Sequence, residues 1–205
     1  MDLHYSRIFQ EIFNPEVYLQ TTAPQKLVLP IIEEAYRLDL SWTPHDPATV
    51  AFRLETIKEQ ARYLKNGKRS GGKDCDGTIL DEAIYQIEVK KSNTDRNFSA
   101  TKQFAGGERW LRHLLALVVA RDAQLKVQVE VPVYNLLIRI ARPSLSRSRG
   151  TRGWTGKRQT AQPILKNMDT YFRLVVPQRT QALDITRYKA LIRESDVNRR
   201  IFRIA

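Results

Sequence analysis

Residues 73–91 read Lys73-Asp74-Cys75-Asp76-Gly77-Thr78-Ile79-Leu80-Asp81-Glu82-Ala83-Ile84-Tyr85-Gln86-Ile87-Glu88-Val89-Lys90-Lys91. Positions 84–91 are dense in β-branched and aromatic residues, the composition of a strand, and positions 77–80 read the same way over a shorter run. Asp81-Glu82-Ala83 then forms a three-residue loop between two antiparallel strands. In that register Leu80 faces Ile84, Thr78 faces Gln86 and Asp76 faces Glu88, with opposed Cβ atoms roughly 4.5–5.5 Å apart. Strand alternation puts Ile84, Gln86, Glu88 and Lys90 on one face and Tyr85, Ile87 and Val89 on the other. Two ionised carboxylates that close repel unless one is protonated or a cation lies between them, and a hard divalent cation suits oxygen ligands. The same register sets Asp74 opposite Lys90, as a further ligand or an ion-pair partner. Asp81 and Glu82, at the turn, are expected in solvent.

Working outward, positions 99–121 carry Phe104, Leu111, Leu114, Leu115, Val118 and Val119 at helical spacing, with Ser99 as a cap and Gly106-Gly107 expected to weaken or kink the first half. Positions 126–134 alternate strictly and predict a strand with Pro132 near its end or on an edge, which 136–140 prolong. A strand over 171–176 and a helix over 185–194, capped by Asp184, follow. Upstream, the spacing predicts helices over 3–13, over 24–40 with Pro30 as a kink, and over 47–65, opened by Asp46-Pro47 and closed by Asn66-Gly67. This order predicts an α/β fold, a mixed central sheet flanked by helices. Its parts are a helical N-terminal region packed on the core (1–46), an α/β core (47–140), a basic Ser/Gly/Arg loop (141–160) and a C-terminal strand and helix extension (161–205).

Lys and Arg number 34 against 22 Asp and Glu, a formal charge of +12, and such a field favours a polyanion, nucleic acid above all. Arg139, Arg142, Arg147, Arg149, Arg152, Lys157 and Arg158 follow one another with no acid between them, in a stretch rich in Ser and Gly that suits tracking phosphates. Trp154 within it is placed to stack on a base or to tuck against the core. With one cysteine, Cys75, no internal disulfide and no Cys-rich zinc site can form, and adjacent aspartates make it a poor thiolate. His4, His45 and His113 form no ligand pair. Positions 67–74 nearly spell a phosphate-binding loop, but Asp74 replaces the required hydroxyl and the stretch runs from a helix to a strand, the reverse of the needed order; Lys73 is better read as a backbone-phosphate contact. No signal-peptide pattern opens the chain and no apolar run reaches about 18 residues, so a soluble, cytoplasmic protein is expected.

Asp76-Gly77 followed by Glu88-Val89-Lys90 on a hairpin, then a long helix and a further strand, resembles the PD-(D/E)xK nuclease superfamily over about 48–134; Cys75 stands where that family has its proline. The resemblance implies a restriction-endonuclease-like core and an Mg²⁺-dependent endonuclease, with Mn²⁺ as a substitute. Asp76, Glu88 and the Val89 carbonyl would hold metal, and Lys90 would orient water or neutralise charge on the phosphorane. It also implies a glutamate from the preceding helix, Glu59 or Glu55, and Gln103 facing the site from the next helix. Lys73, Lys91 and Lys102, with Arg147, Arg149, Arg152, Trp154, Lys157 and Arg158, would contact nucleic acid, DNA in preference to RNA. Cutting both strands of a duplex needs two sites, so a homodimer or higher homo-oligomer is expected. The alternative is a non-catalytic nucleic-acid-binding protein using the basic loop and the tail arginines Arg193, Arg199, Arg200 and Arg203.

Overall fold

The computed structural model describes residues 5–21, 24–34, 36–45, 49–61, 72–91, 99–121, 129–141, 163–195 and 200–204. Its main sheet runs in the spatial order β1 (Tyr18–Thr21), β4 (Thr49–Phe52), β5 (Gly77–Leu80), β6 (Ile84–Lys91), β7 (Val129–Ala141), β9 (Phe172–Pro177), β8 (Ile164–Asn167). The β1–β4–β5–β6 half is antiparallel, β6 and β9 are parallel to β7, and β8 returns antiparallel. β11 (Arg200–Ile204) pairs antiparallel with the first part of β7, on the edge away from β6, because Val133 is partnered by both Ile84 and Arg200. A second sheet, β10 (Ala182–Asp184), β3 (Tyr36–Trp42) and β2 (Leu27–Glu33), covers one face of the first. The other face carries α1 (Tyr5–Ile12), α2 (Leu54–Gln60) and α3 (Ala100–Arg121).

Two apolar layers result. Phe52, Leu80, Ile84, Phe104 and Leu111 join the sheet to the helices, and Leu29, Leu40, Trp42, Tyr85 and Ile138 join it to the small sheet. Because β6 is covered on both faces, its row Gln86, Glu88 and Lys90 lies beneath α3, with Gln86 and Glu88 fully buried. Polar groups driven under a helix must find partners there or bind something.

The mixed α/β architecture and the hairpin register agree with the sequence: Leu80 pairs with Ile84 and Thr78 with Gln86 across a three-residue loop. Three expectations are corrected. Positions 24–40 are not a helix but the arms of a β-hairpin, with Glu33 paired to Tyr36. Leu27, Leu29, Ile31, Leu38 and Leu40 are buried while Val28, Ile32 and Arg37 are exposed, a period of two that also fitted a helical count, and Pro30 is tolerated because β2 is an edge strand. Among the described residues of 47–65, Thr49–Phe52 is the buried strand β4 and only Leu54–Gln60 is helical; Asp46-Pro47 and Asn66-Gly67 lie outside the described residues. The 161–205 segment is not an appendage to a core ending at 140, since β9, β8 and β11 complete the same sheet. The predicted strands around 126–134 and 136–140 are one, β7.

Candidate active site

Asp76 sits just before β5 at the open end of the hairpin, and its Oδ2 accepts the Val89 backbone N–H at 2.7 Å. N–H and C=O of one strand residue point to the same edge. The Val89 carbonyl accordingly opens beside Asp76 and accepts the Tyr36 hydroxyl at 2.8 Å. Glu88 is fully buried. Its Oε1 takes Lys90 Nζ at 2.8 Å and Gln103 Nε2 at 3.2 Å. Its Oε2, and Gln103 Oε1 next to it, are buried acceptors with no donor among the described residues.

Close approach of α3 explains how Gln103 reaches Glu88. A Cβ on Gly106 would come within 1.7 Å of the Lys73 carbonyl, and one on Gly107 within 2.9 Å of Cys75 Sγ and 3.1 Å of the Gln86 amide. The pair expected to kink the helix instead lets an unbroken 22-residue helix settle onto the segment that carries Asp76. Gln86 then inserts into that turn. With every partner satisfied, its amide nitrogen donates to the Phe104 carbonyl (3.1 Å) and to Asn135 Oδ1 (3.1 Å), and its oxygen accepts from the Glu108 N–H (2.9 Å). A strand residue thus bonds the two helix groups that would pair with each other, which fixes α3 above Glu88.

Burial raises the Glu88 carboxyl from 4.5 to about 8, and the charge of Asp76 adds to that, against Lys90 and Gln103, which lower it. Burial likewise raises Asp76 to about 6, opposed by Lys90, the Val89 N–H and Arg53, and reinforced by Glu33. Burial pulls Lys90 down, but Glu88 and Asp76 outweigh it and hold the ammonium above its ordinary value. Lys90 therefore stays a cation beside the two carboxyl groups. Tyr36 is pushed well above its ordinary value by burial, then by Asp76 and Glu33, so its hydroxyl stays a donor.

The remaining predicted residues fall in three groups. Lys73, Lys91 and Lys102 are exposed, and Glu59 is exposed on α2. Glu55 is held by Arg53 at 2.8 Å. Arg147, Arg149, Arg152, Trp154, Lys157 and Arg158 lie outside the described residues, as does Arg199. Two readings are overturned. Asp74 pairs with Lys58, not Lys90: the fully buried Lys58 ammonium bonds Asp74 Oδ2 and the Gly72 carbonyl, each at 2.9 Å, and lies over the Trp110 ring. Asp81 is not solvated; its carboxylate accepts from Trp42 Nε1 (2.9 Å), Thr49 Oγ1 (3.0 Å), the His45 N–H and Lys189 Nζ (2.8 Å). Glu82 shares Lys189 with it at 2.6 Å and accepts the Tyr85 hydroxyl at 2.7 Å. The turn is a structural anchor, because four donors from distant segments converge on it. Cys75 is inert as expected, though burial, ahead of the neighbouring charges, is what drives its thiol up.

In the sequence Glu33, like Glu34, is too remote from Asp76 to be preferred as a site glutamate, and nothing there marks Tyr36 or Arg53. Their closeness to Asp76 comes from sheet packing between segments 23 to 43 positions apart, which leaves no local signal; a tyrosine and a glutamate flanking a tight strand reversal were the only trace. As to a cation, no cluster of three or more His, Cys, Asp or Glu suited to metal occurs among the described residues. The site offers two carboxylates, the orphaned Glu88 Oε2 and Gln103 Oε1, and the Val89 carbonyl, all oxygens. That set fits Mg²⁺, which binds through one or two carboxylates and keeps several waters. No protein-family model, curated protein or solved structure matches this chain. None of its described helices is long and apolar enough to cross a membrane.

Proposed function

We propose that this protein is an Mg²⁺-dependent nuclease with a restriction-endonuclease-like core, a hydrolase of phosphodiester bonds acting as a DNA endonuclease. The observation that carries the reading is the fully buried Glu88 beside the partly buried Asp76, both raised in pKa, with orphaned acceptors beside Glu88 and Lys90 at 2.8 Å from it. Such an arrangement is costly in a fold unless it is used. Further support comes from the succession of antiparallel β5–β6, the long α3 and a strand parallel to β6. Asp76, Glu88 and the Val89 carbonyl would hold the cation. When bound there, it would polarise the scissile phosphate and lower the pKa of a coordinated water.

The chain's own groups do the rest. Gln103, locked by the fit of α3, fixes the Glu88 carboxylate through Oε1 and leaves Oε2 facing the site. The Val89 N–H orients Asp76, and Tyr36 holds the Val89 carbonyl. Lys90, half-buried and charged, can exchange Glu88 for the phosphate and neutralise charge that builds on it in the transition state. The formal +12 of the chain would concentrate a polyanion near the site.

The test is incubation with plasmid DNA and Mg²⁺, repeated with Glu88→Ala and Lys90→Ala. Cleavage that both substitutions abolish while DNA binding persists supports the reading. Binding without cleavage, across DNA and RNA and across Mg²⁺ and Mn²⁺, sinks it in favour of the non-catalytic binding protein.

A further inference from the structure

We infer that Arg53 receives the backbone phosphate next to the scissile one, and that Glu33 holds the guanidinium in place until that phosphate displaces it. The inference rests on the nuclease reading above. Phe52 pairs with Thr78, so Arg53, the residue after β4, stands at the strand end beside Gly77 and Asp76. With Lys90 it is one of the two cations acting on Asp76. Its Nη2 is shared between Glu55 at 2.8 Å and Glu33 at 3.5 Å, and its Nε is buried with no acceptor among the described residues.

Nε and Nη2 lie on one edge of a guanidinium, the edge that grips a phosphate through two parallel N–H···O bonds. Here one donor of that edge is unused and the other is divided, so the edge is short of acceptor oxygens. Glu33 is the weaker and more exposed holder, 3.5 Å away and 41% accessible against 2.8 Å and 33% for Glu55. Its position at the end of β2, across from Tyr36, brings its charge against Asp76 as well. Displacing Glu33 from Nη2 with a phosphate oxygen would supply the missing acceptor at Nε in the same movement.

The test measures affinity without turnover: fluorescence anisotropy with a labelled duplex and with its single strand, in Ca²⁺ or in EDTA, over a range of salt. Arg53→Ala is expected to weaken binding about tenfold and reduce the slope of log affinity against log salt by about one. Glu33→Gln is expected to tighten binding severalfold, and that gain should vanish in the Arg53→Ala background, since the carboxylate acts through the guanidinium. Thermal unfolding checks each variant, and Arg53→Gln, which keeps the stem without the charge, serves if Arg53→Ala does not fold. Unchanged affinity and slope on loss of Arg53 overturns the inference. A Glu33→Gln gain that persists without Arg53 also overturns it, because it shows general repulsion. A wild type that binds neither nucleic acid overturns the nuclease reading and the inference together, whereas wild-type binding that loss of Arg53 leaves intact removes the inference alone.

Discussion

Glu88→Gln should stabilise the metal-free protein at pH 8 while removing its response to Mg²⁺. In the folded chain Glu88 holds its proton up to about pH 8, against an ordinary 4.5. The folded state thus binds that proton more tightly than the unfolded state. The stability this contributes is complete below pH 4.5 and is lost as pH rises through 8. Within that window each pH unit weakens the fold by about 1.4 kcal/mol from this group. Asp76, raised from 3.8 to about 6, adds a loss of the same sign at the lower end. In EDTA, wild-type stability relative to Glu88→Gln should therefore fall by a few kcal/mol between pH 5.5 and 8. For a chain of this size that is roughly 5–10 °C in relative Tm. Glutamine is isosteric and uncharged, and Lys90, 30% exposed, can turn to solvent when its partner is lost. Adding Mg²⁺ at pH 8 should raise the wild-type Tm, since a ligand specific to the folded state stabilises by mass action, and leave Glu88→Gln unmoved. The assay is thermal unfolding by circular dichroism over pH 5.5–8, with and without Mg²⁺. A wild-type curve that runs parallel to that of Glu88→Gln across pH, or equal Mg²⁺ shifts in both, would refute the reasoning.

Three further outcomes follow from the packing. Asp81→Ala removes the acceptor shared by Trp42, Thr49, His45 and Lys189, and should cost about 3–5 kcal/mol in urea unfolding because several buried donors lose it at once and Lys189 keeps only one of its two carboxylates, Glu82; a loss under 1 kcal/mol would show that the turn is no anchor. Gly107→Ala forces a methyl against Cys75 Sγ and the Gln86 amide, and should cost about 1–3 kcal/mol and lower Mg²⁺ affinity by lifting Gln103 from Glu88; a stable variant with unchanged Mg²⁺ titration contradicts the account of α3. Cys75, buried and with its thiol raised, should resist a thiol reagent such as DTNB in the folded protein and react fully on denaturation; rapid labelling under native conditions would mean the site is open on its helix side.

Much of the site was legible because it is local. Side-chain alternation and a three-residue loop determine the register from Leu80↔Ile84 to Gly77↔Ile87, which carries Asp76 to the open end of the hairpin near Glu88 and Val89, and they put Lys90 on the Glu88 face. The capped apolar spacing of 99–121 likewise suffices for α3, and the stretch after it for a buried strand. Where two periodicities fitted the same apolar residues, as at 24–40, only the sheet they joined could decide between them. Thr49–Phe52 became a strand because β1 and β5 each offer it an edge, a fact written in segments far from it. The glycines of α3 read as weakness in isolation and as clearance once Lys73 and Cys75 lie beneath them.

The sequence by itself therefore determined the hairpin register that brings two carboxylates and a lysine to one end of it, and the chain's overall excess of positive charge. Tertiary structure alone decided that Glu88 is fully and Asp76 partly buried, that Gln103 grips the first, and that Arg53, Glu33 and Tyr36 stand near the second. It also turned Asp81, at an apparently exposed turn, into a four-donor anchor. The division has one cause: hydrogen-bond register and side-chain direction are set over a few residues, whereas desolvation, which sets the charge state of Glu88 and Asp76, depends on every segment that comes to cover them.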